Sequence, residues 1–138
     1  MAKAESLREW VQRVRTRRPQ QIPGAYSLAI ETTPPHSGVL LHVHHREAEA
    51  SYILEGENDI QCGDRTIHAA KGAFVFLPRG VLNRFKNVTD TPGSYIYIAS
   101  PGGFEKFMDQ MSKAATGDQG DGSKVPEIFR NHGIEMKW

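Results

Sequence analysis

Between residues 26 and 99 the chain breaks into short apolar or alternating runs: Y-S-L-A-I-E-T, V-L-L-H-V-H, S-Y-I-L-E, N-D-I-Q-C, R-T-I-H-A, F-V-F-L and S-Y-I-Y-I-A. Between them stand P-P-H-S-G, G-E-N, G-D, K-G, P-R-G and T-P-G, rich in the residues that tight turns require. Strands this short, with turn signals every eight to twelve residues, indicate an antiparallel sandwich or barrel. The unbroken run Phe74 to Leu77 suggests burial on both faces, which a closed barrel or a packed dimer would supply.

The flanks have a different period. Leu7, Trp10, Val11 and Val14 recur at helical spacing, with Ser6 and Glu9 placed as a capping box. An amphipathic helix is therefore expected within residues 1–20, packed on the body or on a second subunit. Arg13, Arg15, Arg17 and Arg18 would form its solvated end. A barrel follows over residues 21–102, and a C-terminal helix and tail over 103–138. In that last part Phe104, Phe107, Met108 and Met111 share one helical face. T-G-D-Q-G-D-G-S-K reads as a flexible loop, Pro126 starts a further turn, and H-G-I-E-M-K-W is expected to dock back on the body.

With 138 residues and a net charge of +1, the chain is sized for one domain and lacks the charge of a nucleic-acid groove or an acidic tail. Its one cysteine, Cys62, excludes an intramolecular disulfide framework and has no base pinned beside it by sequence. There is no signal-peptide pattern and no apolar stretch of membrane-spanning length, so a cytoplasmic protein without membrane partners is expected.

The stretch L-H-V-H-H-R-E-A-E-A-S-Y, residues 41–52, carries the chemistry. Side chains at i and i+2 of a strand share a face, so His42 and His44 point the same way, roughly 7 Å apart along the strand. His45 then points to the opposite face unless a bulge turns it inward. Glu49 has the wrong parity for one uninterrupted strand. A bend in H-R-E-A must start a new strand to bring Glu49 beside the histidines, and Glu47 becomes a solvated loop carboxylate. Two imidazoles and a carboxylate on one face are a facial ligand set for iron(II), which manganese, nickel, cobalt and zinc also tolerate. His36 in its Pro-Pro turn, His68 beside Ile67 and His132 before a glycine read as structural.

This spacing resembles the first motif of the cupin superfamily: His42, His44, Glu49 and Gly56, with Gly38 as a leading glycine nearer than usual. The second motif follows in register as Gly72, Pro78, Gly80, Asn83 and Asn87, with asparagine at position 83 where the family normally carries a histidine ligand. P-G-G-F-E-K-F, residues 101–107, further resembles small quercetinase-like cupins. The resemblance spans residues 36–100. It implies an all-β double-stranded β-helix, a cupin jelly-roll barrel with helices at both ends, as a homodimer acting on a small molecule.

The implied metal ligands are His42, His44 and Glu49, with Asn83 as a weak ligand or polar contact, since a neutral amide oxygen binds transition metals poorly. A divalent metal (iron, manganese, nickel, cobalt or zinc) bound less tightly than usual would support a dioxygenase-like enzyme. Without metal, His42, His44, Glu49 and Asn83 could serve acid–base chemistry in a cyclase, isomerase or lyase. A ligand-binding module without chemistry is the third possibility, and the chain has no room for the helix-turn-helix of a cupin regulator. Pocket walls are expected from Tyr52, Phe74 or Phe76, Phe85 and Ile98, suiting an apolar or aromatic substrate. Parity alone leaves their side open.

Overall fold

Period-two alternation is visible along several strands: on residues 93–100, Gly93, Tyr95, Tyr97 and Ala99 are buried and the residues between them are not. The computed structural model describes residues 15–16, 24–116 and 122–137. Among these, the strands are β1 (Arg15–Thr16), β2 (Ser27–Thr33), β3 (Gly38–His44), β4 (Ala48–Glu55), β5 (Glu57–Cys62), β6 (Arg65–Ala70), β7 (Phe74–Leu77), β8 (Leu82–Asn87), β9 (Gly93–Ser100) and β10 (Ile134–Met136). The helices are α1 (Phe104–Thr116) and α2 (Val125–Asn131). Two antiparallel sheets run β1-β2-β9-β4-β7 and β10-β3-β8-β5-β6. From β2 to β5 and again from β6 to β10 successive strands alternate between the sheets, with β5 and β6 a hairpin within one of them, in the manner of a jelly roll, the expected all-β double-stranded β-helix.

The core lies between the sheets and extends beneath the C-terminal segment. Ile53, Ile60 and Ala99 are fully enclosed, and the Phe85 and Tyr95 rings meet at 4.3 Å between centroids. As the helical spacing predicts, α1 buries Phe104, Phe107, Met108 and Met111. Phe129 of α2 packs edge-on against Phe107 at 5.2 Å. The start of α1 is satisfied from outside the helix: Ser27 Oγ on β2 accepts the Gly103 and Phe104 N–H groups at 2.9 and 3.1 Å and donates to Glu105. The tail docks as a strand, β10, whose Ile134 and Met136 stand opposite His44 and His42.

Three expectations need correction. Arg15 and Thr16 pair with Ile30 and Ala29 as a strand, not a helix end, and the remainder of the proposed N-terminal helix lies outside the described residues. Of the expected loop 116–124, Thr116 ends α1, Gly122–Lys124 form a short 3-10 turn, and residues 117–121 lie outside the described ones. Finally, the Phe74–Leu77 run is not buried on both faces: Val75 and Leu77 point inward, while Phe74 and Phe76 are 63% and 56% exposed. With Tyr52, these rings occupy the outer face of an edge strand and its neighbour, a surface of the kind that partners cover.

Asn87, the last residue of the second motif, closes the barrel end. Fully buried, its amide Nδ2 donates toward the carbonyls of Thr33, Pro34 and Thr91 at 3.3, 3.1 and 2.9 Å, and Oδ1 accepts from Thr89 N and Oγ1 at 2.9 and 2.7 Å. Asn87→Ala should cost about 2–4 kcal/mol in denaturant unfolding by orphaning these groups. Asn87→Asp, nearly identical in shape, should cost more, because it turns a buried negative charge toward three carbonyls. Equal losses for the two variants would show that packing, not hydrogen bonding, is the role of Asn87.

Candidate metal and acid–base site

The two motif histidines are set by β3, which is held on both edges: β8 pairs on one side, with His42 opposite Asn83, and β10 on the other, with Ile134 opposite His44. The approach of β3 to β8 leaves no room for a side chain at its first residue, since a Cβ on Gly38 would lie 1.8 Å from the Phe85 carbonyl oxygen. Between Val39 and His42 the register shifts. This irregularity, invisible in sequence, brings the Leu40 carbonyl to the His42 ring. The chain then bends at residues 45–47, its turn braced by the His45 N–H to Gly133 O and the Gly80 N–H to His44 O, at 2.8 and 2.7 Å. Strand β4 starts beyond the bend in the other sheet with Glu49 pointing inward, so the expected change of parity occurs.

His42, His44 and Glu49 are 7%, 4% and 5% exposed, and each offers a ligand atom within 4.8 Å of the other two. The imidazoles lie edge to face, 5.0 Å apart. His42 Nδ1–H donates to the Leu40 carbonyl at 2.6 Å, which leaves Nε2 as the free ligand atom. Burial pushes this imidazole down and the neighbouring His44 pushes it further, against the pull of Glu49, so His42 is neutral. His44 Nδ1 is anchored by Glu47 at 3.2 Å and Nε2 pairs with Glu49 Oε1 at 3.0 Å. Burial opposes charge on His44, but hydrogen bonds and charges from the two carboxylates outweigh it and raise it to about 9.

Glu49 is held from several sides. Tyr97 donates its hydroxyl to Oε1, and Asn83 Nδ2 lies 3.4 Å from Oε2. Burial alone would push its carboxyl up, but the hydrogen bond and charge of His44, helped by His42 and Tyr97, hold it below the usual carboxylate range. The cluster suits a divalent transition metal by its donor chemistry: two imidazole nitrogens and a carboxylate converge, and both imidazoles have the other nitrogen fixed by an outer partner. Glu47, expected in solvent, is one of those partners and only 9% exposed. The remaining histidines stay outside the cluster: His36 bonds Asp90, His45 bonds Glu135, His68 lies between Asp59 and Glu57, and His132 bonds Gln110. Cys62 is half-buried and packs beside the core.

The cluster opens into a cavity of about 190 Å³ between the sheets, covered by Phe104 and Phe107 of α1 and Phe129 of α2. Of the five expected wall residues, only Phe85 lines it. Tyr52, Phe74 and Phe76 are exposed, and Ile98 is half-buried on the same outer face. The reason is parity. Once Glu49 points inward, Ser51 follows it and Tyr52 cannot. Glu49 pairs with Ala99, which turns Tyr97 and Tyr95 inward and Ile98 outward. Both tyrosines and Glu31 line the cavity but were not expected there. For the tyrosines the signal was available, since counting by twos from Glu49 across the pairing of β4 with β9 would have found them.

Comparison with known proteins supports this architecture. Residues 29–99 match the family described as cupin domain. An uncharacterised protein of Methanocaldococcus jannaschii is 28% identical over 75 residues, a stretch that covers 54% of this chain and 60% of that protein. Among solved structures, TT1209 of Thermus thermophilus superimposes with a TM-score of 0.58 at 21% identity, over 67% of this chain and 87% of its own. A predicted oxalate decarboxylase of Thermotoga maritima gives a TM-score of 0.51 at 27% identity, over 53% of this chain and 64% of its own. Both motifs fall inside the matched stretch and frame one buried cluster, and the chain belongs to the cupin domain family.

Proposed function

We propose that this protein is a small-molecule enzyme that holds a divalent metal on His42, His44 and Glu49 and acts in a dioxygenase-like way on an apolar or aromatic substrate. The observation that carries this is the anchoring of both Nδ1 atoms, to the Leu40 carbonyl and to Glu47, beside a buried carboxylate. A buried core histidine also needs its N–H satisfied, but here Nδ1 is the tied atom in both rings, which frees both Nε2 atoms for a ligand role beside Glu49. Bound there, a metal would polarise a substrate oxygen and, if iron or a similar ion, allow oxygen activation. Phe85, Phe104, Phe107 and Phe129 would enclose the apolar part of the substrate and exclude water. Asn83, a neutral amide across from His42, would leave room for a substrate oxygen where a fourth imidazole would block it.

A second reading is favoured by one contact, the His44–Glu49 pair at 3.0 Å. Such a dyad could move a proton without metal, as in a cyclase, isomerase or lyase. Elemental analysis of untagged protein, expressed in metal-supplemented medium without chelator, decides between them: near-stoichiometric iron, nickel, manganese or cobalt supports the first, and no metal supports the second.

Four further outcomes are expected. His44→Ala should lose the metal while keeping its fold, and full retention would remove the assignment. Glu47→Gln should keep the stoichiometry but weaken nickel affinity about 10–100-fold in competition titrations, as loss of an outer partner does. Because His44 is protonated up to about pH 9, metal uptake at neutral pH should release close to one proton per site, and affinity should rise with pH toward that value. Asn83→His should tighten binding, and an unchanged affinity would mean that position 83 does not reach the metal.

A further inference from the structure

The cavity contains a second buried carboxylate that the metal set does not use. Glu31, on β2, is 3% exposed and lines the same space as His42, His44 and Glu49. On β9 the inward tyrosines treat the two carboxylates alike: Tyr97 donates its hydroxyl to Glu49, and Tyr95 donates its hydroxyl to Glu31. The difference lies in the cations. Glu49 has His44 Nε2 at 3.0 Å, while Glu31 has no ion pair among the described residues. A buried carboxylate without a cation is costly, and the commonest remedy is a proton.

Burial raises Glu31 to about 7; the Tyr95 hydrogen bond lowers it, Glu49 raises it and His44 lowers it. The titratable groups sharing its space are Tyr95 and Tyr97 on β9, Glu49 on β4, and His42 and His44 on β3. From the helices only phenylalanines line the cavity. Two carboxyl groups in one cavity, one ionised by its imidazole and one keeping a proton, is the arrangement from which enzymes assign base and acid.

We propose that Glu31, steadied by Tyr95, is the acid–base group of the cavity, exchanging a proton with a carbonyl, enol or phenol oxygen of a small apolar or aromatic molecule. The inference rests on the metal reading only in leaving His42, His44 and Glu49 to the metal. In the forward step the Glu31 O–H bond breaks and its electron pair stays on the carboxylate. An O–H bond forms on the ligand oxygen, and the Tyr95 hydroxyl donates to the new carboxylate. The reverse step returns the proton, with no change of oxidation state.

The test compares wild type, Glu31→Gln and Tyr95→Phe over roughly pH 5–9, each with and without added nickel. Infrared spectra of the wild type should contain a protonated-carboxyl band that disappears as pH rises through about 7. Glu31→Gln should lack the band, and Tyr95→Phe should move its disappearance to higher pH, since the lost hydrogen bond favours the carboxylate. Thermal stability should agree: with a folded value above the ordinary 4.5, Glu31 contributes stability at low pH that is lost as pH rises through about 7. The melting temperature of wild type relative to Glu31→Gln should therefore fall across that window.

As a ligand probe, 4-nitrophenol reports its own ionisation by colour. Its midpoint when bound should shift by about one pH unit or more between wild type and Glu31→Gln. A band that survives in Glu31→Gln, or a bound-probe midpoint that does not move, overturns the proposal. Nickel uptake is scored separately. Its absence from the wild type would remove the metal reading, while the infrared and probe titrations would still decide the role of Glu31.

Discussion

Burying negative charge is the constraint around which this interior is arranged. A carboxylate between two sheets must find a cation, hydrogen-bond donors or a proton, because an unpaired charge in that environment is too costly to keep. Glu49 finds the first two in His44, Tyr97 and Asn83, and these come from both sheets. The pairing of charge is thus also a tie across the barrel. Move Glu49 to the outer face and His44 would keep only Glu47, Tyr97 would bury an idle hydroxyl, and Asn83 would lose its side-chain partner.

The sheets divide the labour. One supplies the imidazoles and Asn83 from β3 and β8, the other supplies both carboxylates and both tyrosines from β2, β4 and β9. The C-terminal segment completes the arrangement twice over. Strand β10 pairs along the free edge of β3, and α1 and α2 lay their phenylalanines over the cavity. Residues 134–136 therefore help position His42 and His44 although they are some ninety positions away in the chain.

Much of this was legible in the sequence. The turn residues and alternating runs specify the strands, the spacing of His42, His44 and Glu49 specifies that a bend must intervene, and Asn83 falls opposite His42 as its motif position implies. What escaped was of two kinds. The fate of Glu47 depends on how the bend at residues 45–47 folds back over His44, a matter of loop conformation that no periodicity encodes. The inward or outward choice for Tyr52, Phe74, Phe76 and Ile98 depends on cross-strand register, and aromatic character was a poor substitute for it. Parity was the better guide: along β4 and β9 the residues next to each inward polar group point out, however apolar they are.

The position of Asn83 also has an evolutionary side. Codons for asparagine and histidine differ only in their first base, so a single nucleotide change converts one residue to the other. Asn83 already stands opposite His42, buried to 3% exposure and aimed at the same cavity, on a strand whose register is fixed independently. No backbone rearrangement separates the present cluster of His42, His44 and Glu49 from one with a third imidazole at position 83. Descendants of this chain could cross between the two at the rate of point mutation, with selection acting on chemistry rather than on fold.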